Sequence, residues 1–149
     1  MGAPASIHAS CVAIGDFGVL IRGPSGSGKS SLALRLILDA PRSLPPAELV
    51  ADDRVLLVAE GGVLLARPVP TLAGLIEMRG LGIRRLPYRP IVALRHVVDL
   101  AAPDASRMPP PQARRILLQD IEVQRIPLGA WDQVPLVLAC IIGTRDHDD

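Results

Sequence analysis

The chain has few aromatic residues, nearly balanced charges and no long apolar run. Each of these features excludes a kind of core, segment or partner. Aromatic residues make up 2% of the 149 residues, although 49% are hydrophobic, so the core must be aliphatic. No apolar run approaches the ~18 residues of a membrane-spanning helix, and no basic-then-apolar secretory signal opens the chain. A net charge of +1 gives no electrostatic reason to expect nucleic acid or a membrane surface as partner. We therefore expect a soluble, cytoplasmic protein.

Cysteine is also scarce. Cys11 and Cys140 form no C-x-x-C pair and have no cluster of histidine or cysteine near them. We therefore expect two buried free thiols rather than a disulfide or a metal site. The length predicts one domain over residues 1–149, with a polar tail at 144–149 that frays.

What the chain does have is a glycine-rich loop, preceded by the apolar run at 19–21. The loop fits G-x-x-x-x-G-K-[ST] in a strand-loop-helix context, which predicts phosphate binding. Glycines let backbone N–H groups turn inward around an anion, where a Cβ would obstruct the approach. The lysine adds positive charge toward the β- and γ-phosphates, and the last serine is placed to ligate Mg²⁺. The loop residues are Gly23, Pro24, Ser25, Gly26, Ser27, Gly28, Lys29 and Ser30.

Lysine occurs only at position 29, and the other fifteen of the 16 basic residues are arginine. Such a composition keeps lysine where the planar fork of arginine would be a poor substitute. Asparagine does not occur at all. The guanine-reading N-K-x-D motif therefore cannot be present, which excludes a GTPase.

Two adjacent acids, Asp52 and Asp53, follow an apolar strand and stand 22 and 23 residues after Ser30. A βαβ unit brings such a strand end back beside the loop. One acid can hold magnesium, directly or through water, and its neighbour can accept a proton from an incoming hydroxyl. The alternative is a surface turn with two solvated aspartates.

Four further residues carry weaker signals. Glu77 and Arg79 lie in a glycine-flanked stretch, 77–83, that we interpret as a loop from which each could reach a phosphate or a metal. On their own they would form a solvated ion pair. A lone histidine on a strand, such as His8 or His96, is more often structural than catalytic.

The patterns predict an α/β fold with a hairpin-bearing sheet and few helices. The helix after the loop is apolar except along one narrow stripe, so it should be covered on most sides, as in an α/β layer. The region 101–111 holds four prolines and is predicted to be an exposed connection or a mobile segment. The other predicted elements are strands at 7–14, 19–21, 49–51, 55–59, 63–66, 91–100, 116–118 and 121–126, a helix at 29–38, and a strand or short helix at 136–142.

Together, His8, the loop at 23–30, residues 49–55 and the block at 77–83 resemble the catalytic domain of HPr kinase/phosphorylase. The block reads E-M-R-G-L-G-I, close to the family signature E-[IV]-R-G-[LI]-G. The resemblance covers about residues 5–128 and implies a P-loop core similar to that of PEP carboxykinase. It implies the short form of the family, without the regulatory N-terminal domain.

The resemblance also implies roles. Lys29 would stabilise the transferring phosphoryl group, and Asp53 would act as the base when a serine of HPr attacks ATP and as the acid when phosphate attacks phosphoserine. His8 would match the active-site histidine, and Arg107 is our match for a downstream arginine. The magnesium ligands would be Ser30 and Glu77, with Asp52 beside them. The segment that couples the two reactions would be Glu77, Met78, Arg79, Gly80, Leu81 and Gly82.

The sequence departs from the family in two places. Ser31 stands where an acidic residue usually follows the loop, and residues 128–149 lack a basic, glycine-containing segment. We expect an ATP- and Mg²⁺-dependent serine kinase that phosphorylates HPr in regulation of the phosphotransferase system, with dephosphorylation by phosphorolysis left open. The family resemblance implies a hexamer. The alternatives are a small-molecule kinase and an ATP-binding switch without transfer.

Overall fold

The computed structural model describes residues 5–130 and 133–143, so the predicted tail at 144–149 lies outside the described residues. The described part is a mixed α/β fold with a large sheet and two α-helices, α1 (Lys29–Leu38) and α2 (Val134–Gly143), neither of which could cross a membrane. Short 3₁₀ turns lie at Pro70–Leu72 and Pro111–Arg114. The strands are β1 (Ala5–His8), β2 (Ser10–Ile14), β3 (Phe17–Arg22), β4 (Ala47–Ala51), β5 (Arg54–Glu60), β6 (Val63–Pro68), β7 (Leu75–Met78), β8 (Gly82–Arg85), β9 (Val92–Asp99), β10 (Arg115–Leu118) and β11 (Ile121–Pro127).

The large sheet is organised around β9. Its strand order is β1-β5-β6-β9-β3-β2-β4, and β11 also pairs with β9 and carries β10 on its other side. Along one edge of β9, β6 pairs antiparallel near Ala93, and β11 pairs parallel from His96 to Asp99. On the other edge β3 is parallel to β9. The carboxyl ends of β3, β9 and β11 therefore meet at one end of the sheet.

Two apolar clusters cover the two faces of β2 and β3. Successive side chains of a strand point to opposite faces, so Val12 and Ile14 pack toward the helices, beside Leu32, Leu36 and Leu138. On the other face, Cys11, Ala13 and Leu20 pack against side chains from β5, β6 and β11. Their members are almost entirely aliphatic, as the composition predicts.

Helix α1 begins and ends where the sequence predicts. Leu32, Ala33 and Leu36 are buried, while Arg35 and Asp39 lie outward, with 3.6 Å between Arg35 Nε and Asp39 Oδ2. The strand, loop and helix order is confirmed, since β3 leads through the glycine-rich loop into α1 and then β4. Because β2 separates β3 from β4 and is antiparallel to both, β3 and β4 run parallel.

Three predictions are wrong. The single strand at 7–14 is two strands broken at Ala9, whose N–H donates to Asp53 O at 3.2 Å, so β1 joins β5 while β2 joins β3 and β4. The loop at 77–83 lies within the β7–β8 hairpin instead. Only Cys11 is buried, because Cys140 lies on an exposed side of α2. The helix was one of two alternatives left open at 136–142.

The β10–β11 hairpin is fastened to the far side of the sheet by Gln119 at its turn. The Gln119 side-chain oxygen accepts from the Ala59 N–H at 3.1 Å, and its amide donates to Leu57 O at 3.0 Å. Since Ala5 of β1 pairs with Leu57, the Gln119 amide occupies the edge of β5 near the point where β1 begins.

Candidate functional site

The glycine-rich loop joins the end of β3 to the start of α1. Gly26 and Gly28 adopt left-handed conformations, with φ values of 83° and 100°, which side chains with a Cβ rarely adopt. A Cβ on Gly23 would lie 2.5 Å from Ser27 Oγ, so this position also requires glycine. Ser27 Oγ is itself buried and has no hydrogen-bond partner among the described residues. A buried hydroxyl without a partner, at the N-terminus of a helix, is suited to an anionic ligand.

Lys29 lies inside this loop. Its ammonium donates to Gly23 O at 2.8 Å and to Pro24 O at 3.1 Å, and the residue is 8% exposed. A lysine is rarely buried this far without partners, and here the partners are carbonyls rather than a carboxylate. The positive charge is therefore not neutralised by these partners and remains free to attract an anion.

Asp52 is the centre of the site. It is 5% exposed and accepts on one carboxylate oxygen from the hydroxyls of Ser10, at 2.6 Å, and Ser30, at 2.7 Å. Its other oxygen accepts from the Glu77 N–H at 3.3 Å. The carboxylate thereby joins β2, the start of α1 and β7. The alternative of two solvated aspartates is wrong for Asp52.

Asp53 differs from its neighbour in burial, since its side chain is 68% exposed. Its φ of 67° is uncommon for a residue other than glycine, and it lies at the centre of a tight turn in which Arg54 N–H donates to Asp52 O at 2.7 Å. His8 Nε2 lies 3.3 Å from Asp53 Oδ1. The strained turn thus separates two adjacent acids, one buried among hydroxyls and one beside a histidine.

Magnesium fits the residues that the structure brings together here. No three His, Cys, Asp or Glu side chains form a metal cluster within 5–130 and 133–143. Mg²⁺ does not require such a cluster, since it is usually held by one or two carboxylates, with waters and phosphates filling the other positions. Asp52, the Ser30 hydroxyl and the exposed Glu77 beside them offer that donor set.

A second charged cluster lies at the carboxyl ends of β3, β9 and β11, and sequence reasoning missed it. Arg22 donates twice to Asp99, at 2.7 and 2.8 Å, and Arg125 donates to the same carboxylate at 2.6 Å. Burial raises the pKa of Asp99, but the hydrogen bonds and charges of the two arginines outweigh it and bring the pKa below its usual value. The only sequence signal was that each residue stands at or near the end of an apolar strand.

Arg125 also holds the proline-rich connection to the sheet. It donates to both carboxylate oxygens of Asp104, at 2.8 and 3.0 Å, and to Ala113 O at 3.0 Å. Arg107 lies between these two anchor points and is exposed, and no hydrogen bond or ion pair ties it to other described residues. The structure therefore brings together the predicted residues His8, Lys29, Ser30, Asp52, Asp53 and Glu77, but shows no contact between Arg107 and them.

His96 lies apart from this site, on β9. It is 1% exposed, packs edge-on against Phe17 with ring centroids 5.7 Å apart, and neither ring nitrogen has a hydrogen-bond partner in the described part of the chain. Burial and then the charge of Arg95 lower its pKa, against an opposing effect of the Gln124 side chain. These surroundings favour the structural interpretation.

Comparisons with a family model, with curated proteins and with solved structures all match this chain to HPr kinases. The family model of the HPr Serine kinase C-terminal domain matches residues 1–87, which include His8, the glycine-rich loop, both aspartates and the β7–β8 hairpin, but not Arg107. The HPr kinase/phosphorylase of Streptococcus thermophilus is 46% identical over 79 residues, which is 52% of this chain and 24% of that protein. The HPr kinase/phosphorylase of Mycoplasma mycoides is 41% identical over 76 residues, which is 51% of this chain and 22% of that protein.

These alignments span about a quarter of the length of the curated relatives. The solved structure of the Hpr(Ser) kinase/phosphatase from Coxiella burnetii matches more completely, with a TM-score of 0.74 and 27% identity over 93% of both chains. This similarity therefore extends over more of the chain than the residues that the family model matches.

Proposed function

Because the chain belongs to the HPr serine kinase C-terminal domain family, we propose that it is an ATP- and Mg²⁺-dependent protein-serine kinase whose acceptor is the phosphocarrier protein HPr. The observation that carries the proposal is the convergence on Asp52 of the Ser30 hydroxyl and the β7 backbone, with Lys29 and Asp53 as their sequence neighbours. This convergence supports a P-loop core like that of PEP carboxykinase. The proposal includes a single domain acting in the cytoplasm within the phosphotransferase system.

The glycine-rich loop binds the nucleotide in this proposal. Its backbone N–H groups and the Ser27 hydroxyl, which has no described partner, hold the phosphates at the N-terminus of α1. Lys29 exchanges its two carbonyl partners for phosphate oxygens, a short movement of a flexible side chain. Ser30 and Glu77 would hold Mg²⁺, which would neutralise phosphate charge. Asp52 accepts the hydrogen bond of the Ser30 hydroxyl and so fixes the orientation of that hydroxyl.

Asp53 acts as the general base. Its exposed carboxylate takes the proton from the serine hydroxyl of HPr as the serine oxygen bonds to the γ-phosphorus and the bond from that phosphorus to the leaving ADP oxygen breaks. His8, 3.3 Å away, keeps the carboxylate oriented. In phosphorolysis, an oxygen of inorganic phosphate bonds to the phosphorus of phosphoserine as the bond from that phosphorus to the serine oxygen breaks. The protonated Asp53 gives its proton to the serine oxygen, and pyrophosphate is the other product. Residues 77–82 couple transfer from ATP with phosphorolysis. Arg107 acts as the family's downstream arginine after the proline-rich connection that carries it moves toward the phosphates.

The test uses labelled ATP and purified HPr. The parent protein should label HPr, and Asp53→Asn should abolish transfer while nucleotide affinity changes less than about twofold. Asparagine tolerates the left-handed conformation of Asp53, so the backbone turn should persist. Asp120→Asn is a matched control, because Asp120 is also exposed and also has a positive φ, 64°, but lies in the β10–β11 turn.

If the parent protein is folded but leaves HPr unlabelled, this result would contradict the proposal. Stoichiometric ATP binding without any acceptor would favour an ATP-binding switch, and label on a small molecule would favour a small-molecule kinase. Normal turnover by Asp53→Asn would remove Asp53 from the role of base. The hexamer implied by the family resemblance is part of the proposal, and sedimentation equilibrium of the purified protein tests it.

A further inference from the structure

The β7–β8 hairpin exposes apolar side chains beside the site. Met78 is 41% exposed, Leu81 is 65% exposed and Ile83 is 70% exposed, and all three lie within six residues of one another. Large apolar side chains grouped in this way mark interaction sites more often than isolated ones do. Because side chains alternate along β8, Ile83 and Arg85 lie on one face of the hairpin, and Arg84 lies on the other face with Met78. We call the exposed side chains of both faces and the turn, Met78, Leu81, Ile83, Arg84 and Arg85, the hairpin surface.

The charges of the hairpin are also one-sided. Residues 77–85 contain three arginines and one glutamate, a net charge of +2, whereas the whole chain carries +1. Arg79, Arg84 and Arg85 are exposed, and within the described residues no hydrogen bond or ion pair engages any of their side chains. Exposed arginines beside apolar side chains match a protein surface that carries carboxylates around an apolar centre.

A groove lies at the base of the same hairpin. Its volume is about 530 Å³, and Gly74, Arg85, Leu86, Pro87 and Tyr88 line it. Gly74 has a φ of 76°, and a Cβ there would lie 3.1 Å from both Leu86 O and the Tyr88 ring. The groove can receive an apolar side chain of a partner, next to the guanidinium of Arg85.

The hairpin is attached directly to the catalytic residues. Ile76 is buried in the same cluster as α1, and the next residue, Glu77, donates its N–H to Asp52. A molecule bound to the hairpin surface is therefore held beside Ser30 and the aspartate turn. The side chains of the hairpin surface are exposed rather than enclosed, which suits a protein rather than a small molecule, since small molecules bind in enclosed pockets.

We propose that the hairpin surface, with the groove at its base, is the docking site for the protein acceptor, which binds through an acidic and apolar surface next to its serine. This inference rests on the proposed kinase function for the identity of that acceptor as HPr. Docking brings binding energy from outside the reacting groups, so its loss should raise KM for the acceptor more than it lowers kcat.

The test measures HPr affinity by isothermal titration calorimetry with a non-hydrolysable ATP analogue present. Arg84→Glu and Arg85→Glu should each raise the Kd for HPr about tenfold or more, and Ile83→Ser should raise it severalfold, because rim charges and exposed anchors contribute on this scale. The Kd for the nucleotide should change less than about twofold. Arg42→Glu makes the same charge change on an exposed residue after the far end of α1 and should leave both affinities unchanged.

Unchanged HPr affinity in Arg84→Glu and Arg85→Glu, with normal circular dichroism, overturns the docking site. Failure of the parent protein to bind HPr also overturns the docking site. If the variants alter only the sedimentation coefficient and not HPr affinity, the surface is an interface between copies and the proposal is wrong. Hairpin-dependent HPr binding without phosphoryl transfer would support docking while refuting the kinase function, and transfer with an unaltered KM in the variants would do the reverse.

Discussion

Replacement of Asp52 by asparagine tests the centre of the site. An asparagine oxygen could still accept from the hydroxyls of Ser10 and Ser30, but its NH₂ group would then face the Glu77 N–H, donor against donor. The residue is 5% exposed, so water cannot compensate for the lost acceptor. A hydrogen bond to a charged group contributes about 1.5–3 kcal/mol, and a buried group left unpaired costs about 1–3 kcal/mol. We expect Asp52→Asn to lower the free energy of unfolding by about 2–3 kcal/mol.

Urea unfolding followed by circular dichroism measures this loss as a lower midpoint with an unchanged slope. In thermal unfolding, a chain of this size should lose about 2–4 °C per kcal/mol. Ser10→Ala is the matched control, since it removes one of the two donors to the same oxygen and should cost about 0.5–1.5 kcal/mol. An Asp52→Asn protein as stable as the parent would refute the reasoning that this carboxylate joins three segments of the chain.

Three further substitutions test other parts of the structure. Lys29→Arg should weaken ATP binding about tenfold or more in calorimetry, because the planar guanidinium cannot take the position of an ammonium held between two carbonyls; unchanged affinity would contradict this. Asp99→Ala should cost about 3–5 kcal/mol in urea unfolding, because two part-buried arginines lose their shared partner, whereas the exposed control Asp39→Ala should cost under about 0.5 kcal/mol. Burial lowers the pKa of His96 in the folded protein. The parent protein should therefore lose stability as the pH falls below about 6.5, by up to about 1.4 kcal/mol per pH unit, and His96→Gln should remove this part of the slope. An identical pH profile in the variant would show that His96 does not contribute.

Short-range rules predicted the parts of the site that depend on neighbouring residues. The glycines and lysine at 23–30 require a loop and a following helix, and the apolar run before Asp52 requires a strand, so α1 and β4 were correct. The sequence also singles out Asp52 and Asp53 as adjacent acids after that strand. Their different surroundings were not predicted, because the strained turn at Asp53 depends on a hydrogen bond from Ala9 and a strand pairing with β1.

Long-range pairing explains what the sequence did not reveal. The stretch at 77–83 contains two glycines and alternating charges, which favour a loop, but the register of β7 with β8 and the anchor on Asp52 make it a hairpin. In the sequence, Asp99 and Arg125 each have the pattern of a polar residue at or near the end of an ordinary strand. Their partnership required the parallel alignment of β9 with β3 and β11, which no local pattern encodes.

The position of Gln119 has a consequence for how the protein behaves at high concentration. An unpaired strand edge exposes backbone donors and acceptors that can add a strand from another molecule and begin aggregation. Near the point where β1 begins, β5 would expose the Ala59 N–H and the Leu57 carbonyl in this way. The side-chain amide of Gln119 satisfies both groups without contributing a backbone that could extend the sheet further. One glutamine in a turn thus protects a β-strand edge from intermolecular pairing.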